Sequence, residues 1–212
     1  MVITYYDAQF LKIQLGDLVL AVNPIASSAK IKTAKFGADV GLISLHTLDF
    51  NGRESIAFGE KQPFIIEGPG EYEVRGIGIK GIGLKTLYGD EERINTIYVA
   101  TLEGMRLCFL GAVESPDFDR ETLEAIDVVD FLFMPVGIQN KGDYGALSPK
   151  DASELSTALE PKVIIPLYSS EEALKQFLKE EGSGNIEAID KLTIKKKDIE
   201  QKDVEIIVLR KT

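Results

Sequence analysis

Short apolar runs, most of them closed within two residues by Gly or Asn, set the tightest limit on what this chain can fold into. In the first half they fall at Ile3–Tyr6, Phe10–Gln14, Leu18–Val22, Val40–Leu45, Ser55–Phe58 and Pro63–Ile66. Runs of this length suit strands better than helices, which need about ten residues or more. Tyr72–Leu84 alternates apolar residues with glycines. Asn95–Thr101 and Met105–Leu110 read as a hairpin across Leu102-Glu103-Gly104. Ser27–Lys35 is polar and irregular, with Ser27-Ser28 as a candidate helix start.

The second half changes character. Ser115–Ile126 has Ser-Pro at its head and an acidic first turn, which suits a helix N-terminus. Val128–Pro135 and Val163–Leu167 are apolar enough for buried strands. Ser148 precedes Pro149, and Ala152, Leu155, Ala158 and Leu159 recur at helical spacing until Pro161 stops the run. Ser169-Ser170-Glu171-Glu172 starts another helix that reaches Gly182. Two last strands are expected at Leu192–Lys196 and Val204–Leu209. Strands first, then β-α alternation, call for an α/β (α+β) fold with a two-sheet core and helices outside. The expectation is one domain over residues 1–212.

Charge narrows the partners. The net charge is −10, which opposes a phosphate backbone or an anionic membrane surface. The one basic run, Lys195-Lys196-Lys197, reads as a solvated strand end or turn. No apolar run approaches the roughly 20 residues of a membrane span, and the N-terminus lacks a signal-type pattern. A single cysteine, Cys108, permits no internal disulfide and suits a cytoplasmic protein. Neither nucleic acid nor membrane is therefore expected as a partner. A small molecule, another protein or a second copy of the chain remains.

The chemistry-bearing stretch is Ile43–Gly52, where an apolar strand ends in a loop holding His46 and Asp49. Many metal hydrolases keep ligands in such a place. His46 is the only histidine, whereas a catalytic zinc takes about three protein ligands, usually rich in histidine. Asp49, His46 and Glu71 are the candidate catalytic residues. Their bland readings are a loop-capping carboxylate, a surface loop residue and a solvated turn charge, the last shared with Glu73. Gly76-Ile77-Gly78-Ile79-Lys80-Gly81 spells a dinucleotide fingerprint, but inside a β-alternating run with no helix after it. Cys108 sits on a hairpin strand and reads as a buried small hydrophobe.

Five segments resemble the metallo-β-lactamase fold, in particular its short zinc-dependent, lactonase-like branch. They are Ile3 through Asn23-Pro24, Ala38 through Asn51, Gly68-Pro69-Gly70-Glu71-Tyr72-Glu73-Val74, Asn95 through Gly111, and Asp130–Gly137 with Pro166-Leu167-Tyr168. The resemblance implies a four-layer αββα sandwich with a zinc site at one edge, between the sheets. It also places the expected ligands. With Asp49 and Phe50 on the motif's Asp-His, the first two histidines fall on Leu45 and Thr47, and the last on Phe50. His46 takes the spacer between them. The histidine and bridging aspartate around Gly111 become Phe109 and Ala112, the C-terminal histidine becomes Tyr168, and the aspartate of the Asp-Pro loop becomes Asn23. No metal is expected to bind there, and no other cofactor is implied. Phe50, Phe109 and Tyr168 are expected to meet where the metals would sit, either as fill or as an aromatic pocket for a ligand. The function implied is a binding or assembly module rather than an enzyme. The alternative is a hydrolase with a rearranged, carboxylate-rich site around Asp49, suited to Mg²⁺ or Mn²⁺.

Overall fold

A computed structural model describes residues 1–138, 145–200 and 202–212. In chain order the elements are β1 (Val2–Tyr5), β2 (Leu11–Leu15), β3 (Leu18–Val22), β4 (Val40–Leu42), α1 (Arg53–Ile56), β5 (Phe64–Ile66), β6 (Gly70–Val74), β7 (Ile77–Tyr88), β8 (Glu91–Leu102) and β9 (Met105–Phe109). There follow α2 (Arg120–Ile126), β10 (Phe131–Val136), α3 (Pro149–Leu159), β11 (Val163–Tyr168), α4 (Glu171–Glu180), β12 (Leu192–Thr193) and β13 (Glu205–Ile206). One sheet has the order β12-β1-β2-β3-β4-β5 and the other β13-β11-β10-β9-β8-β7-β6.

The apolar runs of the second half are continuous because both faces of their strands are covered. On β9, Met105, Leu107 and Phe109 enter the core between the sheets, while Cys108 and Leu110 face the opposite way. On β10, Phe131 and Phe133 take the first side and Leu132 and Met134 the second. That second side is closed by Ile126 of α2, Ala152 and Leu155 of α3, and Ala173 and Phe177 of α4. Ser148 caps α3 by accepting from Asp151 N–H at 3.2 Å, and Ser170 caps α4 by accepting from Ala173 N–H at 3.2 Å.

The outer layer of the other sheet is thinner than the αββα outline suggests. Phe10, Val19, Ala21 and Ala38 are covered by Ile25 and by Ile56 of the one-turn α1, with Ala29, Ile31 and Phe36 of the irregular segment packed beside them. Ser27-Ser28 starts no helix. Ser55–Phe58, expected as a strand, instead lies across α1 and its exit. The Ser55 hydroxyl donates to Ile25 O at 2.7 Å, and Phe36 and Ala38 N–H donate to Ser55 O and Ile56 O at 3.1 and 2.9 Å, which holds this turn against the segment after β3.

Other boundaries move for local reasons. α2 starts at Arg120, not at Ser115, because Asp119 takes the N-cap and accepts from Thr122 N–H at 2.7 Å. The Ser115 oxygen is used earlier, accepting from Asp117 N–H at 3.1 Å. Tyr72–Leu84 splits into β6 and β7 at Arg75-Gly76, which both have positive φ (55° and 78°), as a tight hairpin turn of the primed kind requires. β7 and β8 then run on to Tyr88 and Glu91, well beyond the expected strands. The last two strands shrink to β12 and β13, and Lys196–Asp198 forms a 3₁₀ turn. None of the helices among the described residues is long and apolar enough to cross a membrane.

Candidate functional site

The loop after β4 is fixed from both sheets. Asn23, at the end of β3, has φ +49°, a region that Asn tolerates better than most residues. Its side-chain oxygen accepts from Ser44 N–H at 2.9 Å. From the other sheet, Thr96 N–H donates to Ser44 O at 2.8 Å, and the Tyr98 phenol donates to Ile43 O at 3.0 Å. Beyond Leu45 the chain folds back tightly, with Phe50 and Asn51 N–H groups both on Thr47 O. Gly52 ends the loop for a packing reason. A Cβ there would lie 2.1 Å from Ile25 O, and its N–H reaches Pro24 O at 2.6 Å.

Facing this loop is the turn after β9. The Asn95 amide brackets it, donating to Leu110 O at 2.8 Å and accepting from Ala112 N–H at 2.9 Å. The Gln9 amide donates to Gly111 O at 2.9 Å and to Gly145 O at 3.2 Å. Asn95 and Gln9 are both buried, so these bonds are made out of competition with water. Two loops from different sheets are thus set rigidly against each other.

What they hold together is apolar. Leu45, Phe50 and Ala112 form a separate buried cluster, with Tyr88 packed on it from the end of β7. Phe50 and Tyr88 meet edge to face, with ring centroids 5.8 Å apart. The Tyr88 phenol donates to Asp49 Oδ2 at 2.8 Å. Burial, and then the Asp49 carboxylate, push the Tyr88 phenol well above its ordinary pKa. Tyr88 carries no sequence signal of a site, because the regular alternation of this run ends at Leu84.

The remaining candidates scatter. Phe109 does not join Phe50. It stacks on Phe133 at 4.5 Å in the core between the sheets, because the inward face of β9 carries it there. Tyr168, the last residue of β11, makes an edge contact with Tyr5 at 5.9 Å and donates to Leu209 O at 3.3 Å. His46 points outward, 56% exposed, into a polar group with Asn51, Arg53 and Glu67. Glu71 is exposed on β6, an edge strand, opposite Lys80 of β7. Cys108 is fully buried, and burial pushes its thiol up to about 12, so it holds its proton near neutrality.

Beside the apolar cluster lies a recess of about 250 Å³. Its walls include Asp49, Phe50 and Tyr88 on one side and Asp7, Leu167 and Tyr168 on the other. Phe50 and Tyr168 therefore meet there, without Phe109. Asp7 and Gln9 carry no sequence signal of a site; they come in through the β1–β2 connection.

Zinc, which the resemblance implies, does not suit the residues present. Of the expected ligand positions, Leu45, Phe50, Phe109 and Ala112 offer no donor atom, Thr47 offers only a hydroxyl, the Asn23 oxygen is taken by Ser44 N–H, and the Tyr168 hydroxyl is turned to Leu209. Among the described residues no three His, Cys, Asp or Glu side chains gather closely enough to hold an ion.

Residues 2–168 match the family described as the beta-lactamase superfamily domain. Among solved structures, a metallo-beta-lactamase superfamily protein from Thermotoga maritima superimposes with a TM-score of 0.76 at 23% identity, covering 99% of each chain. Igni18, a metallo hydrolase from Ignicoccus hospitalis, gives 0.62 at 14% identity over 92% of this chain and 99% of its own. The metallo-beta-lactamase fold protein YhfI from Bacillus subtilis gives 0.60 at 10% identity over 97% and 95%. No curated protein matches the sequence. At these identities the structural likeness speaks for the fold, and the family match over most of the length speaks for descent: the chain belongs to the metallo-beta-lactamase superfamily.

Proposed function

We propose that this protein is a non-hydrolytic member of its superfamily that works as a cytoplasmic binding or assembly module without a metal. One observation carries the reading: three of the expected ligand positions, Leu45, Phe50 and Ala112, close into a buried apolar cluster under Tyr88. A metal-activated water needs a cation to bring its pKa from about 15.7 toward 7, and these side chains give a cation nothing to hold. The rearranged carboxylate site has equally little support. Asp49 spends one oxygen on Tyr88, His46 faces outward, and Glu71 lies on an exposed edge. The cytoplasmic placement rests on the single cysteine.

The test is metal analysis of protein purified without chelator. The expected result is far less than one equivalent of zinc, manganese, magnesium or iron, and no change in Tm after EDTA treatment. A stoichiometric metal that disappears in Asp49→Ala would overturn the reading.

A further inference from the structure

We infer that the recess beside the apolar cluster binds a small organic cation, an ammonium group carried on an aromatic or similarly flat apolar body. The inference rests on the metal-free reading above and names the class of ligand that such a module would take.

The charge of the walls comes first. Two carboxylates, Asp7 and Asp49, line the recess, and no Lys, Arg or His is among its described lining residues. Asp7 is already compensated. It pairs with Lys211 at 2.8 Å and accepts from Ala8 N–H at 2.7 Å. Asp49 is not. Its Oδ2 accepts from a neutral phenol, Tyr88, and it has no cationic partner among the described residues. A carboxylate with no ion pair among the described residues, in a partly buried recess, favours a positive charge, since water screens it only in part.

The rest of the wall decides what carries that charge. Phe50, Tyr88, Leu167 and Tyr168 supply apolar and aromatic surface. A bare metal cation would leave that surface wet and would find one carboxylate where it needs several oxygens. An alkylammonium with a ring satisfies both parts. Its charge meets Asp49, and its body displaces water from the aromatic wall, where a cation also gains from nearby ring faces. Tyr168 already has an ammonium, that of Lys211, 5.2 Å above its ring. The size is modest: a recess of about 250 Å³ lies just below the usual range of drug-sized ligand sites, which suits a small single-ring body.

The test uses three probes of nearly one shape: 2-phenylethylammonium, neutral 2-phenylethanol and anionic phenylacetate. Each is titrated by calorimetry, in phosphate rather than an amine buffer, into the EDTA-treated and desalted protein. The expected order is ammonium, then alcohol, then carboxylate. The ammonium should lead the alcohol by about tenfold, the scale of one charge-assisted contact. In Asp49→Asn, checked for folding by circular dichroism and Tm, the ammonium and the alcohol should bind alike. Equal binding of all three by the unaltered protein, tightest binding of the carboxylate, or no binding at millimolar concentration overturns the inference. Those outcomes leave the metal-free reading standing, because that reading falls only to a stoichiometric metal.

Discussion

The phenol of Tyr88 donates to Asp49 Oδ2 at 2.8 Å, joining the tip of β7 in one sheet to the loop after β4 in the other. The bond places a hairpin end over the position where this superfamily is expected to hold its metals. It also gives Asp49 a structural task, through Oδ2, that spans the two sheets. Tyr88→Phe should keep the edge contact with Phe50 and lose only the hydroxyl. A hydrogen bond to a charged group contributes about 1.5–3 kcal/mol, and partial exposure lowers that, so a loss of about 1–2 kcal/mol is expected. Urea denaturation checks it, read as a lower midpoint at unchanged m-value. A midpoint equal to that of the unaltered protein would show that the bond contributes nothing.

The same bond predicts a response to alkali. Burial raises the Tyr88 phenol first, and Asp49 adds to it, so its folded pKa lies above the ordinary value of 10.0. Tyr5 and Tyr98 are raised in the same direction, chiefly by burial. Below pH 10 both states hold these protons and stability is unaffected. Above pH 10 the unfolded phenols ionise while the native ones do not. The native state then binds more protons, and stability falls as pH rises. Stability measured between pH 9 and about pH 12 should therefore drop steadily beyond the ordinary phenol value. The slope in Tyr88→Phe should be shallower by one proton. An unchanged slope would mean that Tyr88 ionises as freely folded as unfolded.

Phe50, at a position where the family resemblance implies a ligand, serves packing. Its ring is 3% exposed and makes the edge contact with Tyr88 that seals Leu45 and Ala112. Phe50→Ala should cost about 3–5 kcal/mol, the usual range for a buried Phe. The variant should also take up small apolar ligands in the enlarged recess, which thermal-shift assays with benzene-sized probes would detect. A loss under about 1 kcal/mol would show that the cluster collapses freely and was never a rigid fill.

The sequence carried this much of the site because the missing ligands are a matter of composition: one histidine cannot build a centre that needs several. The succession of strands first and helices later, and the serine caps Ser148 and Ser170, were readable too, since these rest on spacing within a few residues. What could not be read lies across the sheets. Phe50 and Phe109 look alike as substituted ligand positions, and only the inward face of β9 sends Phe109 to Phe133 instead. Tyr88 stayed hidden because its strand runs past the last regular alternation. Gln9 and Asn95 look like ordinary polar residues until the fold sets their amides against Gly111.

Phe109 offers a direct check on that sorting. If it stands in the core and not in the recess, putting back a histidine there restores nothing. Phe109→His would set a polar ring against Phe133, 4.5 Å away between the sheets, with no partner for its nitrogens. Burying such a group without a hydrogen bond costs about 2 kcal/mol or more. The variant should unfold at lower urea and take up no zinc beyond that bound by the unaltered protein. Zinc uptake with retained stability would move Phe109 back to the recess.

The glycine-rich run Gly76–Gly81 is open to the same kind of contrast, because its glycines differ in surroundings while sharing one pattern. At Gly81 an added Cβ would lie 2.8 Å from Gly68 O and 3.1 Å from Pro69 Cα, where the Gly68-Pro69-Gly70 turn packs on β7. The turn is held in place by the Tyr72 phenol, which donates to Gly68 O at 3.0 Å. At Gly78 an added Cβ would meet nothing within 4 Å. Gly81→Ala should therefore push the turn off the strand, at about 1–3 kcal/mol. Gly78→Ala should be neutral or slightly stabilising, since glycine inside a strand is itself unfavourable by about 0.5–1 kcal/mol. Equal losses at the two positions would remove the packing account of this run. A larger loss at Gly81 alone would show that its glycine is there to admit the turn against β7, a sufficient reason for a pattern that otherwise imitates a nucleotide-binding loop.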